Sequence, residues 1–382
     1  MQFDKSMYAA LWSDEGRRVM NILLQNPELI RPEYNFWATK FLVDPEITPT
    51  NQKGEAIFTS SMRQLDAGEL MDMRAPLSDT RPADKRGLEF YSDRIPEYSA
   101  KGYYEKAMER MYKEDLFDQF GDSSLLAAFA VNELQRMQNS AYQTLSNQSA
   151  QLLSTAKIIY NYGEGIQGGV IKAKVPEENF HKAGTTVWAD ASCKLLDQMR
   201  EIEDEYRQKW GVTMNMQWEI PVKMYRDVFM KNAQVLEWIK YTNVINNTPL
   251  PDGFIATEEM TKRALAQYPD LSPIVIIEEK QKDGIKGIVS GWAEGVAVLR
   301  PAGYAGYVRR STILDEKAFK KYGNSVNSYN FTPAINGLGV FMNSEVVNGN
   351  FKEWHTDLFM KAVPTLDEFL YHVIVDTRTA ND

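Results

Sequence analysis

The sequence predicts an α+β fold in which about 280 residues pack into one body and the first hundred or so extend away from it. Three observations carry this expectation. Seven of the sixteen prolines (Pro27, Pro32, Pro45, Pro49, Pro76, Pro82 and Pro96) stand within residues 1–105, where few periodic stretches are sustained. An apolar stripe at helical spacing begins near residue 122 and marks one long helix. Beyond it, helical periods alternate with short β-rich runs bounded by turn residues.

In order along the chain, residues 14–25 read as a short helix because Val19, Ile22 and Leu23 share a face. Residues 45–53 are turn-like, 56–60 suit a strand, and 65–86 are polar and broken by Pro76 and Pro82. Residues 88–106 suggest two extended segments of a projecting loop with its tip near 74–84. So long an irregular stretch is out of place inside a compact monomer and suits an arm lying on neighbouring subunits. At Asp122 or Ser123 a helix is capped and runs to about Ser154, a rod roughly 45 Å long. Leu125, Leu126, Phe129, Leu134, Met137, Ala141 and Leu145 form its apolar face, whereas residues 146–151 are polar on most sides, so partial burial is expected.

Residues 157–175 are two β-prone runs around a glycine-rich turn and read as a hairpin. Residues 184–189 read as a short strand or connector leading to Asp190, the expected cap of a helix over 191–210 that stops at Gly211. A strand at 215–220 leads through Pro221 into a helix over 223–241. A loop at 246–254 follows, and Thr257 opens a helix over 258–268. Residues 272–281 read as a buried strand, and Asp283-Gly284 turns the chain into another at 285–290. Strands at 296–300, 308–314 and 369–375 complete the set.

Composition narrows the function. With 43% apolar and 25% charged side chains the chain is neither disordered nor collagen-like. The single cysteine, Cys193, rules out an internal disulfide, and three histidines (His181, His355 and His372) leave little material for metal chemistry. The 43 Lys and Arg against 52 Asp and Glu give a net charge of -9, which excludes a general polyanion binder. Residues 1–10 lack the cationic start and apolar core of a signal peptide. The longest apolar runs, such as 125–131 and 274–277, fall far short of the roughly 20 residues that cross a bilayer. A soluble protein of a reducing cytoplasm, with no membrane partner, is expected. Aromatics at 12% and 17 Met supply core or subunit contact.

Chemical motifs are weak. Residues 163–168 match G-x-G-x-x-G literally, but a dinucleotide site needs a strand turning into a helix, and here a β-run ending at Pro176 follows; the glycines suit a hairpin turn. No Gly-x-Ser-x-Gly elbow exists. Cys193, in the first turns of a helix, fits a small buried thiol better than a nucleophile. His355 with Glu353 and Asp357 fits a solvated polar turn better than a metal site. Glu201, Glu203, Asp204 and Glu205 point around one helix, so they suit a solvated face rather than a catalytic pair. Arg309-Arg310 and the lysines of 317–321 suit intersubunit salt bridges more than DNA contact. No catalytic residue, metal ligand or cofactor is expected.

One ordered set of segments resembles a known family. The helix over 122–154 is followed by the glycine hairpin and then by GTTVWAD (184–190), similar to a Gly-Gly-Thr-x-Trp passage with an insertion at Val187. MQWEIPVKMYRDV (216–228), IVIIEEKQKDGIKG (274–287), AVLRP (297–301) and AVPTLDEFLYHVIVDT (362–377) follow in matching order. The set, over roughly residues 85–378, resembles the major capsid proteins of tailed bacteriophages, in the lambda-like "capsid E" group of the Hong Kong 97 fold. It departs from that pattern in the first 60 residues and over 315–359.

The resemblance implies an N-terminal arm (1–60), an extended loop (61–105), a peripheral domain (106–189 and 361–382) containing the spine helix, and an axial domain (190–360). It implies self-association into hexamers and pentamers of an icosahedral head in the virion, assembled in the bacterial cytoplasm. Scaffolding, portal and decoration proteins would be partners, and packaged double-stranded DNA would be held without sequence-specific contact. The arm and loop would bury Phe36, Trp37, Phe58 and Tyr91 between subunits. The loop 246–254 would lie near the capsomer axis. Some relatives crosslink a loop lysine to a neighbour; Lys85 and Lys101 are loop lysines here, but no acceptor is evident, so no crosslink is expected. An encapsulin-like nanocompartment shell and an α/β nucleotide-binding enzyme are the alternatives.

Overall fold

The structure, a computed structural model, describes residues 35–51, 55–63, 88–103, 123–162, 166–190, 192–210, 214–245, 250–251, 253–283, 287–313, 328–331, 334–335, 338–339, 341–346 and 354–380. The expected helix over 14–25, the polar stretch 65–86 with its loop tip, and Gly211 lie outside these residues.

A one-turn helix, α1 (Phe36–Lys40), runs straight into β1 (Phe41–Thr48). Residues 45–48 are therefore strand rather than turn. Pro45 is tolerated because β1 is an edge strand among the described residues, where it pairs in parallel with β13 (Gly306–Ser311) alone, with a register shift between Val43 and Ile47. β2 (Ile57–Arg63) pairs antiparallel with β3 (Leu88–Arg94). The second extended segment, β4 (Glu97–Tyr103), does not pair with β3. It joins β18 (Trp354–Leu366), so that only the first of the two segments belongs to a hairpin.

The long helix is α2 (Ser123–Thr155), within a residue of its expected ends. Met137, Ala141 and Leu145 are buried as expected, but so are Ser146, Gln148 and Ser149 in the stretch 146–151 where partial exposure was anticipated, and Ser154 beyond it. Small and amide side chains let neighbours approach this half on several sides. Trp37 donates its amide N–H to Ser146 Oγ at 3.4 Å, and Ala293 donates its own to Ser154 Oγ at 2.9 Å. Gly291 sits so close that a methyl there would strike the Asn147 carbonyl.

The hairpin β5 (Lys157–Tyr162) and β6 (Ile166–Lys172) follows, with the pair Ile158 and Ile171 buried and the pair Ile159 and Val170 facing outward. A short strand that the sequence did not announce, β7 (Phe180–Ala183), leads to α3 (Leu195–Trp210). This helix starts four residues later than expected, because Asp190 Oδ1 accepts from the Ser192 amide and hydroxyl and closes a separate turn. The first amides of α3, those of Leu196 and Asp197, donate instead to Gln234 Oε1.

After β8 (Met216–Pro221) the single helix expected over 223–241 is broken into α4 (Val222–Asp227), a 3-10 turn and α5 (Ala233–Ile245). Asn232 caps α5 by accepting from the amides of Gln234 and Val235 at 3.0 and 3.3 Å. Thr257 caps α6 (Glu258–Leu265) through the Met260 amide as anticipated. β9 (Ile274–Ile277) is a half-buried edge strand rather than a buried one. The hairpin β10 (Gln281–Asp283) and β11 (Gly287–Val289) precedes β12 (Val296–Pro301). Strands β14 (Ser328–Phe331), β15 (Ala334–Ile335), β16 (Leu338–Gly339) and β17 (Phe341–Val346) precede β18. The last strand, β19 (Val373–Ala380), starts only after a 3-10 turn over Phe369–Tyr371.

Two sheets organise these elements. Sheet one has the order β1-β13-β18-β17-β14, with β4 also on β18; sheet two has the order β7-β19-β12-β8-β9. Residues 190–360, expected as one axial unit, thus contribute strands to both sheets. Trp37, Tyr142, Leu145, Leu153, Val308 and Leu366 belong to the core between α2 and sheet one. Trp188, Leu196, Tyr206, Trp218, Phe229 and Ile239 belong to the core between sheet two and its helices.

Candidate functional site

Where the sheets meet, two crossings of the chain lie side by side. Residues 302–305 carry it from β12 in sheet two to β13 in sheet one, and residues 367–372 carry it from β18 back to β19. Ala305 ties them together: its carbonyl accepts from the amides of Asp367 and Glu368 at 3.0 and 3.4 Å, and its amide donates to Lys40 O at 2.8 Å.

A buried charge cluster fills this junction. Glu219 Oε1 accepts from Lys40 Nζ and Arg300 Nη2, both at 2.7 Å, and from Gln217 Nε2 at 2.8 Å. Arg300 also donates to the carbonyls of Pro301 and Gly303. Burial pushes the Glu219 carboxyl up, but Arg300 and Lys40 outweigh it and hold it at about 2. His372 is pushed down to about 4 by burial and stays neutral, with Nε2 at 2.7 Å from Leu153 O in α2. Arg309 bridges Asp44 of β1 and Asp367.

The β2–β3 hairpin is fastened to the same corner. Tyr91 Oη donates to Leu366 O at 3.0 Å and accepts from the Leu366 amide at 2.9 Å, while its ring meets Phe58 and Phe369 edge-on. Ser60 donates to Leu366 O and Asp367 Oδ1. The residues of the opposite face, Ile57 and Phe90, are exposed. Tyr91→Phe strands the Leu366 amide and leaves its carbonyl only the longer Ser60 contact at 3.5 Å, and should cost about 1–3 kcal/mol in chemical denaturation. It should also quicken proteolysis between residues 55 and 94; unchanged stability and cleavage would mean that the hairpin is anchored elsewhere.

The residues singled out by sequence disperse. His181 lies on β7 beside Glu205, His355 at the start of β18, and His372 in the junction. His355 is therefore in a strand rather than a polar turn, while Glu353 lies outside the described residues. Cys193 is buried ahead of α3, and burial pushes its thiol up. Among the described residues no cluster of three or more His, Cys, Asp or Glu is arranged to hold a metal ion. No described helix is long and apolar enough to cross a membrane.

The acidic run on α3 splits. Glu201, Asp204 and Glu205 are exposed, but Glu203 is buried and accepts from Trp218 Nε1 at 2.6 Å, from the Ser272 amide and hydroxyl, and from Arg207. The signal was present: position 203 falls on the stripe of Leu196, Met199, Tyr206 and Trp210. Arg309, expected in intersubunit pairs, is paired with Asp44 and Asp367 within the chain, whereas 317–321 lie outside the described residues. Lys85 does too, and Lys101 is in strand β4 rather than a loop. Position 166 of the glycine motif begins strand β6, so the helix that a pyrophosphate site requires is missing there. A cleft of about 190 Å³ near Tyr225, Lys262 and Ile274 is smaller than the roughly 300 Å³ of a typical small-molecule site.

No protein-family model matches the sequence, and no curated protein matches it. The structure, however, is similar to a putative capsid protein of a prophage of E. coli CFT073. The TM-score is 0.51 at 13% identity, over 94% of this chain and 97% of that one. The fold is that of a phage capsid protein. This capsid fold agrees with the α+β, Hong Kong 97-type expectation. A phage-related protein from Bordetella bronchiseptica RB50 (TM-score 0.46, 13% identity, 94% and 96% covered) is similar more loosely. So is the capsid of cyanophage A-1(L) (0.45, 10%, 92% and 93%).

Proposed function

We propose that the chain is a phage major capsid protein that self-assembles into the hexamers and pentamers of an icosahedral head enclosing double-stranded DNA. The observation that carries this reading is the end-to-end likeness to a prophage capsid protein, which leaves almost none of either chain unmatched. The surface is consistent with assembly: Ile57, Phe90, Ile159, Tyr241, Ile245 and Ile255 are large apolar residues left at least half exposed, Ile255 at 88%. The role is structural rather than enzymatic, with function residing in surfaces. Phe36, Trp37, Phe58 and Tyr91, expected between subunits, are buried within this chain instead. Of the arm (1–60) and extended loop (61–105) it is therefore the exposed face carrying Ile57 and Phe90 that would lie on neighbouring subunits, and sheet two with its helices would face the capsomer axis. Scaffolding, portal and decoration proteins would join the shell, which is built in the host cytoplasm and ends in the virion.

Electron microscopy of the purified protein tests this directly. Closed shells, tubes or isolated hexamers and pentamers are expected. A protein that stays monomeric at every concentration and salt would overturn the reading, and particles isolated from the native host with protein cargo but no DNA would make it a nanocompartment shell instead.

A further inference from the structure

The junction between the sheets holds more carboxylates than cations. Among the described residues, Lys40 from α1, Arg300 from β12 and Arg309 from β13 face Asp44 from β1, Glu219 from β8, and Asp367 and Glu368 from the turn after β18. Three of the four acids have a hydrogen-bonded cation. Glu219 takes Lys40 and Arg300, Asp44 takes Arg309, and Asp367 takes Arg309 at 3.3 Å together with the Ser60 hydroxyl. Glu368 does not. Its Oε2 is buried without a hydrogen-bond partner and lies 3.8 Å from an Arg300 Nη1 that already donates to Pro301 O. His372, packed on the same cluster, is neutral and brings no positive charge.

We propose that Glu368 is a proton switch on the coupling between the two sheets, neutral when the crossings are clamped together and loosening them when it ionises. With a proton on Glu368 the cluster holds three cations and three carboxylates. Without it, a fourth negative charge sits beside Asp367 in a site where the Glu368 side chain is only 29% exposed, and repulsion is poorly screened. The position gives that repulsion leverage. The Glu368 and Asp367 amides donate to Ala305 in the neighbouring crossing, so a side chain drawn toward water pulls on the turn that joins sheet one to sheet two.

Burial raises the Glu368 carboxyl to about 7 against the opposing pull of Arg300, and Asp367 and Glu219 add to the rise. A carboxyl raised in the folded state contributes stability that is fully present below its ordinary value and lost as pH rises through about 7. His372 acts oppositely: the stability of its neutral form is present above its ordinary value and lost as pH falls through about 4. The difference between wild type and Glu368→Gln therefore isolates the switch. It is contained in one chain, so it stands whether or not the protein builds a shell.

Hydrogen exchange of the full-length protein at pH 5.5 and 8, corrected for intrinsic rates, reads the switch at the amides of Ala305, Asp367 and Glu368. Their protection in wild type should fall about tenfold over this range, and in Glu368→Gln it should stay level. Asp367→Asn, which removes the neighbouring charge but keeps Glu368, should move the midpoint to lower pH. Constant protection in wild type, an equal fall in Glu368→Gln, or, should that variant not fold, an unmoved midpoint in Asp367→Asn would each overturn the proposal.

Discussion

Glu219→Ala is expected to destabilise the fold by about 3–5 kcal/mol in urea denaturation at neutral pH. The carboxylate is fully buried and is the shared counterion of Lys40 and Arg300, so its removal leaves Lys40 without its carboxylate and Arg300 with only the Glu368 carboxyl at 3.8 Å. That imbalance, more than the lost attraction, sets the magnitude, because desolvation of a paired ion is already largely offset by its partner. Glu219→Gln should cost less, since an amide oxygen still accepts from both cations. The acid side follows from the depressed carboxyl: its contribution is present above its ordinary value near 4.5 and disappears as pH falls through about 2, so the penalty of Glu219→Ala should shrink in acid. A loss below 1 kcal/mol at neutral pH would mean that water reaches the junction.

Trp188→Ala should be of similar size, about 3–5 kcal/mol, by emptying the centre of the second core. Trp188 is buried between Trp218 and Phe229, with edge-to-face ring centroids at 5.9 and 6.0 Å. Its backbone amide also donates to Thr377 O, which fixes the connector to the end of β19. The indole N–H is buried without an acceptor, so Trp188→Phe loses ring volume but also removes an unsatisfied donor. It should therefore cost markedly less than alanine. Thermal melts of both variants check this, and equal losses would show that the indole N–H is satisfied in solution.

The parts of the fold that could be read in advance are those whose signals are local. The ends of α2, the β5–β6 hairpin and the Thr257 cap depend on residues within a few positions of one another, and all three are found. The break between α4 and α5 was equally local, since Asn232 is a strong cap, but an uninterrupted apolar period concealed it. β1 escaped because Pro45 reads as a turn unless the strand is known to lie on an edge. The buried half of α2 escaped because a serine is polar by composition yet small enough to be packed against, as Gly291 and Ala293 do.

The junction was not legible at all. Lys40 and Glu219 are 179 residues apart and Glu219 and Arg300 are 81 apart, and nothing in either neighbourhood distinguishes these charges from solvated ones. Composition, spacing and the order of segments were enough for the α+β class, the long helix and the likeness to capsid proteins, because each is carried by residues near one another or by their totals. Which charges are buried, which acid of the α3 run turns inward and which carboxylate lacks a hydrogen-bonded cation are properties of strands brought together from distant parts of the chain. They depend on desolvation and on distances of a few ångströms, and those exist only once the two sheets have closed on each other.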